Sequence, residues 1–178
     1  MSLVLMITGP AGAGKSTASA AWANRGETPR ALIDADALRT NIRAGCAYPE
    51  HGWTDETQRQ WDVAMELWRS MARIYRRHGI DCVIDLYAPP CPDPPSDAIL
   101  AELGVLRIVL FPSLEVCLAR NRVRANQPML SDDQLTDNYA GFKECVRDHH
   151  PDHVIDNGSL TTAQTVEAIE RLINPRLD

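Results

Sequence analysis

Residues 9–17 read GPAGAGKST, a run suited to holding a polyphosphate. It satisfies GxxxxGK[ST] with Gly9, Gly14, Lys15 and Ser16, and it lies between an apolar run and a helix-forming stretch, the setting that this spacing requires. Gly9, Gly12 and Gly14, with Pro10, Ala11 and Ala13 between them, let successive amides converge on one phosphate as an anion nest, and the helix that follows adds its positive end. Lys15 then reaches the β- and γ-phosphates as a point charge, Ser16 offers a hydroxyl to a bridging Mg2+, and Thr17 adds a hydroxyl toward the α-phosphate. Lys15 and Lys143 are the only lysines among eighteen basic side chains, so a lysine in this loop is not compositional noise. ATP and Mg2+ are the expected cofactors.

Moving a phosphate to a hydroxyl also needs a group that takes the hydroxyl proton. The segment LIDADALR supplies Asp34 and Asp36 at the carboxyl end of a short apolar run, the edge at which open α/β sheets bind ligands. Asp36 is the candidate base, with Asp34 nearer the metal or the core. Arg39 follows three residues on, where it could hold a phosphate or carboxylate of the acceptor. A helix capped by Asp36, with a solvated Arg39, is the competing reading. Asp85 closes a second apolar run and is a candidate for Mg2+ or for water; hydrogen bonding to the proline-rich loop beyond it is an equal alternative. Trp53 and Tyr87 are the aromatic candidates for contact with the acceptor. In SLEVCLARNRVRANQ, Arg120 and Arg124 fall one turn apart on one helical face, Arg122 on another, so a lid over residues 120–132 would bring two guanidinium groups to the transferring phosphate.

These groups must be positioned by alternating elements. Apolar runs at 3–8, 31–33, 80–86, 105–111 and 153–155 read as strands separated by amphipathic stretches, which predicts a three-layer α/β fold with a five-stranded parallel sheet in one domain, 1–178. The longest helix is expected over 55–78, with Trp61, Met65, Trp68, Met71 or Ala72, and Tyr75 facing the core and Thr54 as its cap. Residues 88–97, APPCPDPPSD, carry five prolines and predict a stiff loop. A net charge of −6 gives no general attraction to nucleic acid or anionic membrane, and no run is long enough to span a bilayer. Five cysteines without a CxxC pair argue against a disulfide framework and for a reducing, cytoplasmic setting, with Cys82 and Cys117 as small buried residues. His149, His150 and His153 lack partners at zinc spacing and read as structural.

With these segments placed, the chain resembles the small P-loop kinase group: the kinase domain of bacteriophage polynucleotide kinase, zeta toxins, chloramphenicol phosphotransferase, and gluconate and shikimate kinases. The resemblance implies a P-loop NTPase fold. Asp36 with Arg39 is similar to the Dx(2)R element of the polynucleotide-kinase type, which implies a general base and an acceptor-side arginine. Arg120, Asn121 and Arg124, followed by Leu135 and Tyr139, resemble the RNxxR lid and its L…Y helix, which implies contact of the arginines with the donor phosphates. The closing segment around Asn157 and Gly158 resembles the loop that lies near adenine. Trp53, the tryptophan-bearing helix and the proline-rich segment match no acceptor pocket of the group. The activity expected is ATP-dependent transfer of the γ-phosphate to a hydroxyl of a small-molecule acceptor. The alternatives are a polynucleotide 5'-hydroxyl kinase, for which the acidic balance gives little support, and a non-kinase nucleotide switch or ATPase.

Overall fold

The computed structural model describes residues 2–123, 130–149 and 153–174. Five strands, β1 (Val4–Thr8), β2 (Arg30–Asp34), β3 (Asp81–Asp85), β4 (Val105–Leu110) and β5 (Val154–Ile155), form one sheet in the order β2-β3-β1-β4-β5. Every pairing is parallel, as buried strands alternating with helices require. The helices are α1 (Lys15–Ala23), α2 (Ala35–Thr40), α3 (Asp55–Arg77), α4 (Pro94–Leu103), α5 (Leu114–Arg122), α6 (Asp132–His149) and α7 (Thr162–Ile173).

Strand alternation splits the interior in two. On one face Leu5 and Ile7 of β1, Val83, Leu106 and Ile108 pack against Ala18 and Trp22 of α1 and Val166, Ile169 and Ile173 of α7. On the other, Val4, Met6, Ile33, Cys82 and Ile84 pack against Trp68 and Ala72 of α3 and Leu103 of α4. A period of two in the strands thus meets a period of 3.6 in the helices, which is the physical basis of the three layers.

The expected face of α3 is the one that packs, with Trp61, Met65, Met71 and Tyr75 beside the buried Trp68 and Ala72. Thr54 caps it in a reciprocal box: its hydroxyl accepts from the Thr57 amide at 3.2 Å, and the Thr57 hydroxyl accepts from the Thr54 amide at 3.3 Å.

Two expectations are corrected. The proline-rich segment is only half a loop, because α4 begins at Pro94 with prolines in its first turn. The first helical amides have no intrahelical partner to lose, and proline presets the helical φ, so proline there starts a helix instead of breaking one. The cysteines do include a bonded pair: Cys91, just before α4, is joined to Cys145 of α6 across 54 residues of sequence. Cys82 and Cys117 are free and buried, as expected. Among the described residues no helix is long and apolar enough to cross a membrane.

Candidate nucleotide and phosphoryl-transfer site

The glycine-rich loop turns from β1 into α1 at the carboxyl edge of the sheet, and its glycines are there for steric reasons. Gly12 has φ of +76°, and a Cβ on it would stand 2.4 Å from the Cys117 carbonyl oxygen; a Cβ on Gly9 would stand 2.2 Å from that of Leu110. No side chain fits at either point. Gly14, at φ +93°, is the N-cap of α1 and has no side chain to occupy the first amides of the helix, which leaves them to the loop. Pro10 and Ala13 are buried, Lys15 is half-buried, and Ser16 and Thr17 are exposed at the mouth. The Lys15 ammonium donates to the Pro10 carbonyl at 3.1 Å, folded back over the loop that it opens from.

Sheet register brings the acids to the same edge. Asp85 pairs with Ile7 on one side and with Asp34 on the other, so two carboxylates end adjacent strands next to the strand that feeds the loop. Asp85 is only 7% exposed. Burial pushes its carboxyl above the usual carboxylate range, the Lys15 charge and a hydrogen bond from Ser16 pull it back, and the charges of Asp34 and Asp36 raise it further. Lys15, Ser16, Asp34 and Asp36 therefore all bear on the buried Asp85 carboxyl. The proline-rich loop is held by other means: the Thr8 hydroxyl donates to the Ala88 carbonyl and accepts from the Ala88 amide, both at 2.9 Å.

The helix cap belongs to Asp34, whose side chain accepts from the Ala37 amide at 2.9 Å. Asp36, assigned that cap in the competing reading, stands in the first turn with its side chain 77% exposed. The helix starts two residues earlier than a cap at Asp36 would need, and the carboxylate of Asp36 is left clear of the helix amides. Arg39 departs from the competing reading. It is 4% exposed, donates to the Ala47 carbonyl at 3.0 Å, and lies over the Tyr48 ring at 5.6 Å, with the Asp36 carboxylate 4.0 Å away. It is not solvated.

Arg120 and Asn157 meet at the back of the loop. Arg120 donates to the carbonyls of Ala13 at 3.3 Å and Asn157 at 2.9 Å, and the Asn157 side chain donates to Ala13 at 2.9 Å. Gly158 follows in the same turn, its carbonyl 3.5 Å from Arg120. Arg122 points away and pairs with Asp132. Arg124 and the 124–129 part of the expected lid lie outside the described residues, as does His150. Asn121 of α5 donates to the Leu130 carbonyl at 2.8 Å.

The aromatic candidates separate. Tyr87 is half-buried against Phe142 of α6, edge to face at 5.8 Å, and burial raises its phenol. Trp53 is 56% exposed, its ring edge-on to Trp61 and its indole N–H donating to Gln58. Two contacts escaped the sequence reading. Asn138 of α6 accepts from the Ala11 amide at 3.2 Å, and Tyr139, stacked on Phe111, donates to the Pro112 carbonyl at 3.0 Å. The L…Y spacing marked this helix face, but nothing in the sequence marked Asn138 as the residue that reaches the loop.

Among the described residues no three His, Cys, Asp or Glu side chains form a ready metal cage. Mg2+ suits this site in another way, since it commonly takes one or two protein oxygens and completes its shell with substrate phosphates and water. A buried, partly desolvated Asp85 beside the Ser16 hydroxyl fits such a pair of oxygens. Asp34 has one carboxylate oxygen committed to its cap and one remaining.

Comparison with known proteins bears on the family and the fold. A family model described as an AAA domain (AAA_33) matches residues 4–145. A sugar kinase from Janibacter sp. superposes with a TM-score of 0.67 at 22% identity, covering 98% of this chain and 95% of its own. The tunicamycin resistance protein of Deinococcus radiodurans gives 0.65 at 19% identity, covering 97% and 96%. Shikimate kinase from Bacteroides thetaiotaomicron gives 0.65 at 20% identity, covering 97% and 98%. These likenesses establish the fold. No curated protein matches the chain.

Proposed function

Because the chain belongs to the AAA_33 family of P-loop kinases, we propose that it is an ATP-dependent phosphotransferase that moves the γ-phosphate to a hydroxyl of a small molecule. The observation that carries this reading is the placement of Asp36: an exposed carboxylate free of the helix cap, electrostatically linked to the buried Asp85 that faces Lys15 and Ser16.

In this reading the amides of residues 9–14 and the Lys15 ammonium hold the triphosphate, Thr17 adds a hydroxyl, and Arg120 with Asn157 keeps the loop in shape from behind. Ser16 and Asp85 would hold Mg2+, with Asp34 in support; the ion supplies positive charge to the phosphate oxygens. The acceptor hydroxyl oxygen forms a bond to the γ-phosphorus as the bond from that phosphorus to the β,γ-bridging oxygen breaks. ADP leaves, and the hydroxyl proton passes to the Asp36 carboxylate.

The test is a screen of hydroxyl-bearing metabolites, nucleosides, antibiotics and oligonucleotides for transfer of labelled γ-phosphate, with Lys15→Ala as the control. A labelled small molecule, absent with the control, supports the proposal. Labelling of oligonucleotides alone would replace it with a polynucleotide kinase, and nucleotide hydrolysis with no transfer would replace it with an ATPase.

A further inference from the structure

The connection between α2 and α3, residues 41–54, has a short 3-10 turn at Pro49–His51 as its only helix, yet buried polar side chains are spent on it, two of them on Ala47. Gln60 of α3 is 2% exposed. Its side-chain oxygen accepts from the Ala47 amide at 2.8 Å, and its nitrogen donates to the Gly45 carbonyl at 2.7 Å and to Glu56. Arg39 of α2, equally buried, donates to the Ala47 carbonyl from the opposite helix and covers the Tyr48 ring. Ala47 is thus gripped at its amide by one helix and at its carbonyl by the other.

This use of residues is expensive for folding alone. A buried glutamine and a buried arginine each carry a desolvation cost that an apolar side chain avoids, and the Arg39 Nε has no hydrogen-bond partner. A connection needing no fixed shape would be left to solvent. The pinned segment stands beside the reacting edge, because the guanidinium that holds it is the one 4.0 Å from Asp36.

We propose that Arg39 and Gln60 are positioning residues that clamp Ala47, and that the clamp fixes residues 44–48 as the wall of the acceptor site beside Asp36. Arg39 acts through the loop and does not read the charge of the acceptor. The statement about the acceptor rests on the kinase reading above; the clamp itself does not.

The experiment has two arms. In the first, hydrogen exchange is followed in the parent and in Gln60→Met and Arg39→Met. Loss of one net hydrogen bond corresponds to a rise of roughly tenfold in exchange at amides 44–48. Amides of β1 and β3 should keep the parental rates, which separates release of the loop from general destabilisation. Should Gln60→Met fail to fold, Gln60→Glu keeps an oxygen for the Ala47 amide but nothing for the Gly45 carbonyl, and carries the same expectation. Parental exchange at 44–48 in these variants overturns the clamp.

In the second arm, the acceptor found in the screen is titrated. Both variants should raise its KM severalfold with a smaller effect on kcat, and the double variant should be little worse than either, since a loop once released cannot be released again. A KM raised by Arg39→Met only, and only for anionic acceptors, would make Arg39 a direct ligand and overturn the positioning role. If the parent transfers no phosphate at all, the kinase reading falls while the exchange arm still decides the clamp.

Discussion

Arg120 and Asn157 converge on a single acceptor, the carbonyl oxygen of Ala13, at 3.3 and 2.9 Å. They lie 37 positions apart in sequence, yet both hold the same point of the phosphate loop, so the shape of the loop depends on α5 and on the turn after β5. Arg120→Ala is expected to weaken ATP binding by roughly ten- to a hundredfold, the range for a lost charge-assisted hydrogen bond. Calorimetry checks this, and an affinity within twofold of the parent would leave Arg120 with no part in shaping the loop.

Lys15→Ala should reduce transfer by at least about 10²-fold, because a charge aimed at the phosphates is lost. Lys15 is only half-buried, so circular dichroism and melting temperature should stay near parental. Turnover within about threefold of the parent removes Lys15 from the mechanism.

Asp34 and Asp36 should separate cleanly. Asp34→Ala deletes the cap on the Ala37 amide and should cost about 1 kcal/mol of stability. Asp36→Asn removes basicity at an exposed position, so transfer should fall by roughly 10²- to 10⁴-fold with stability and nucleotide affinity retained. Thermal melts beside single-turnover assays distinguish the two, and loss of Mg2+-dependent ATP binding in Asp36→Asn would move that residue to the metal.

Burial raises the Asp85 carboxyl above its value in the unfolded chain. The folded state then holds this proton to higher pH than the unfolded state does, so Asp85 makes stability fall as pH climbs from the ordinary carboxylate range through the raised value, and adds no slope beyond it. Asp85→Asn should therefore melt above the parent at pH 7, with the gap closing as the pH is lowered through that window, while Mg2+-dependent transfer is lost. Melts of both proteins across the acid range provide the measurement; a variant less stable than the parent at pH 7 would contradict it.

The Cys91–Cys145 bond closes a loop of 54 residues, for which chain-entropy arguments give about 4 kcal/mol of stabilisation. Dithiothreitol should lower the melting temperature of the parent and leave that of Cys91→Ser unchanged. Two free thiols at these positions by mass spectrometry of the untreated protein would refute the link.

Much of this was legible because it is local. A strand, six loop residues and a helix make the glycine-rich turn, and alternating apolar runs placed all five strands to within a residue or two at their ends. What escaped depends on distant partners. Arg39 is i,i+3 to Asp36, a spacing that suggests an acceptor-side arginine or, in the competing reading, a solvated one; its burial follows from a loop that returns Ala47 and Tyr48 to it and from Gln60, twenty-one residues on. Asp34 takes the cap because β2 stops there, which periodicity does not resolve. The prolines of α4 read as a break because their position relative to the helix start was unknown. Cys91 with Cys145 and Asn138 with Ala11 are pairings set by where α6 lands on the sheet, and no spacing announces them.

The bonded cysteines also make the stretch between them a closed ring. A single backbone cut anywhere in residues 92–144 would leave both pieces attached through sulfur, running as one molecule under non-reducing electrophoresis and as two after a reductant. Nicking there would go unseen in an ordinary purity check, and the nicked molecule would keep α6, and with it Asn138, tethered near the phosphate loop.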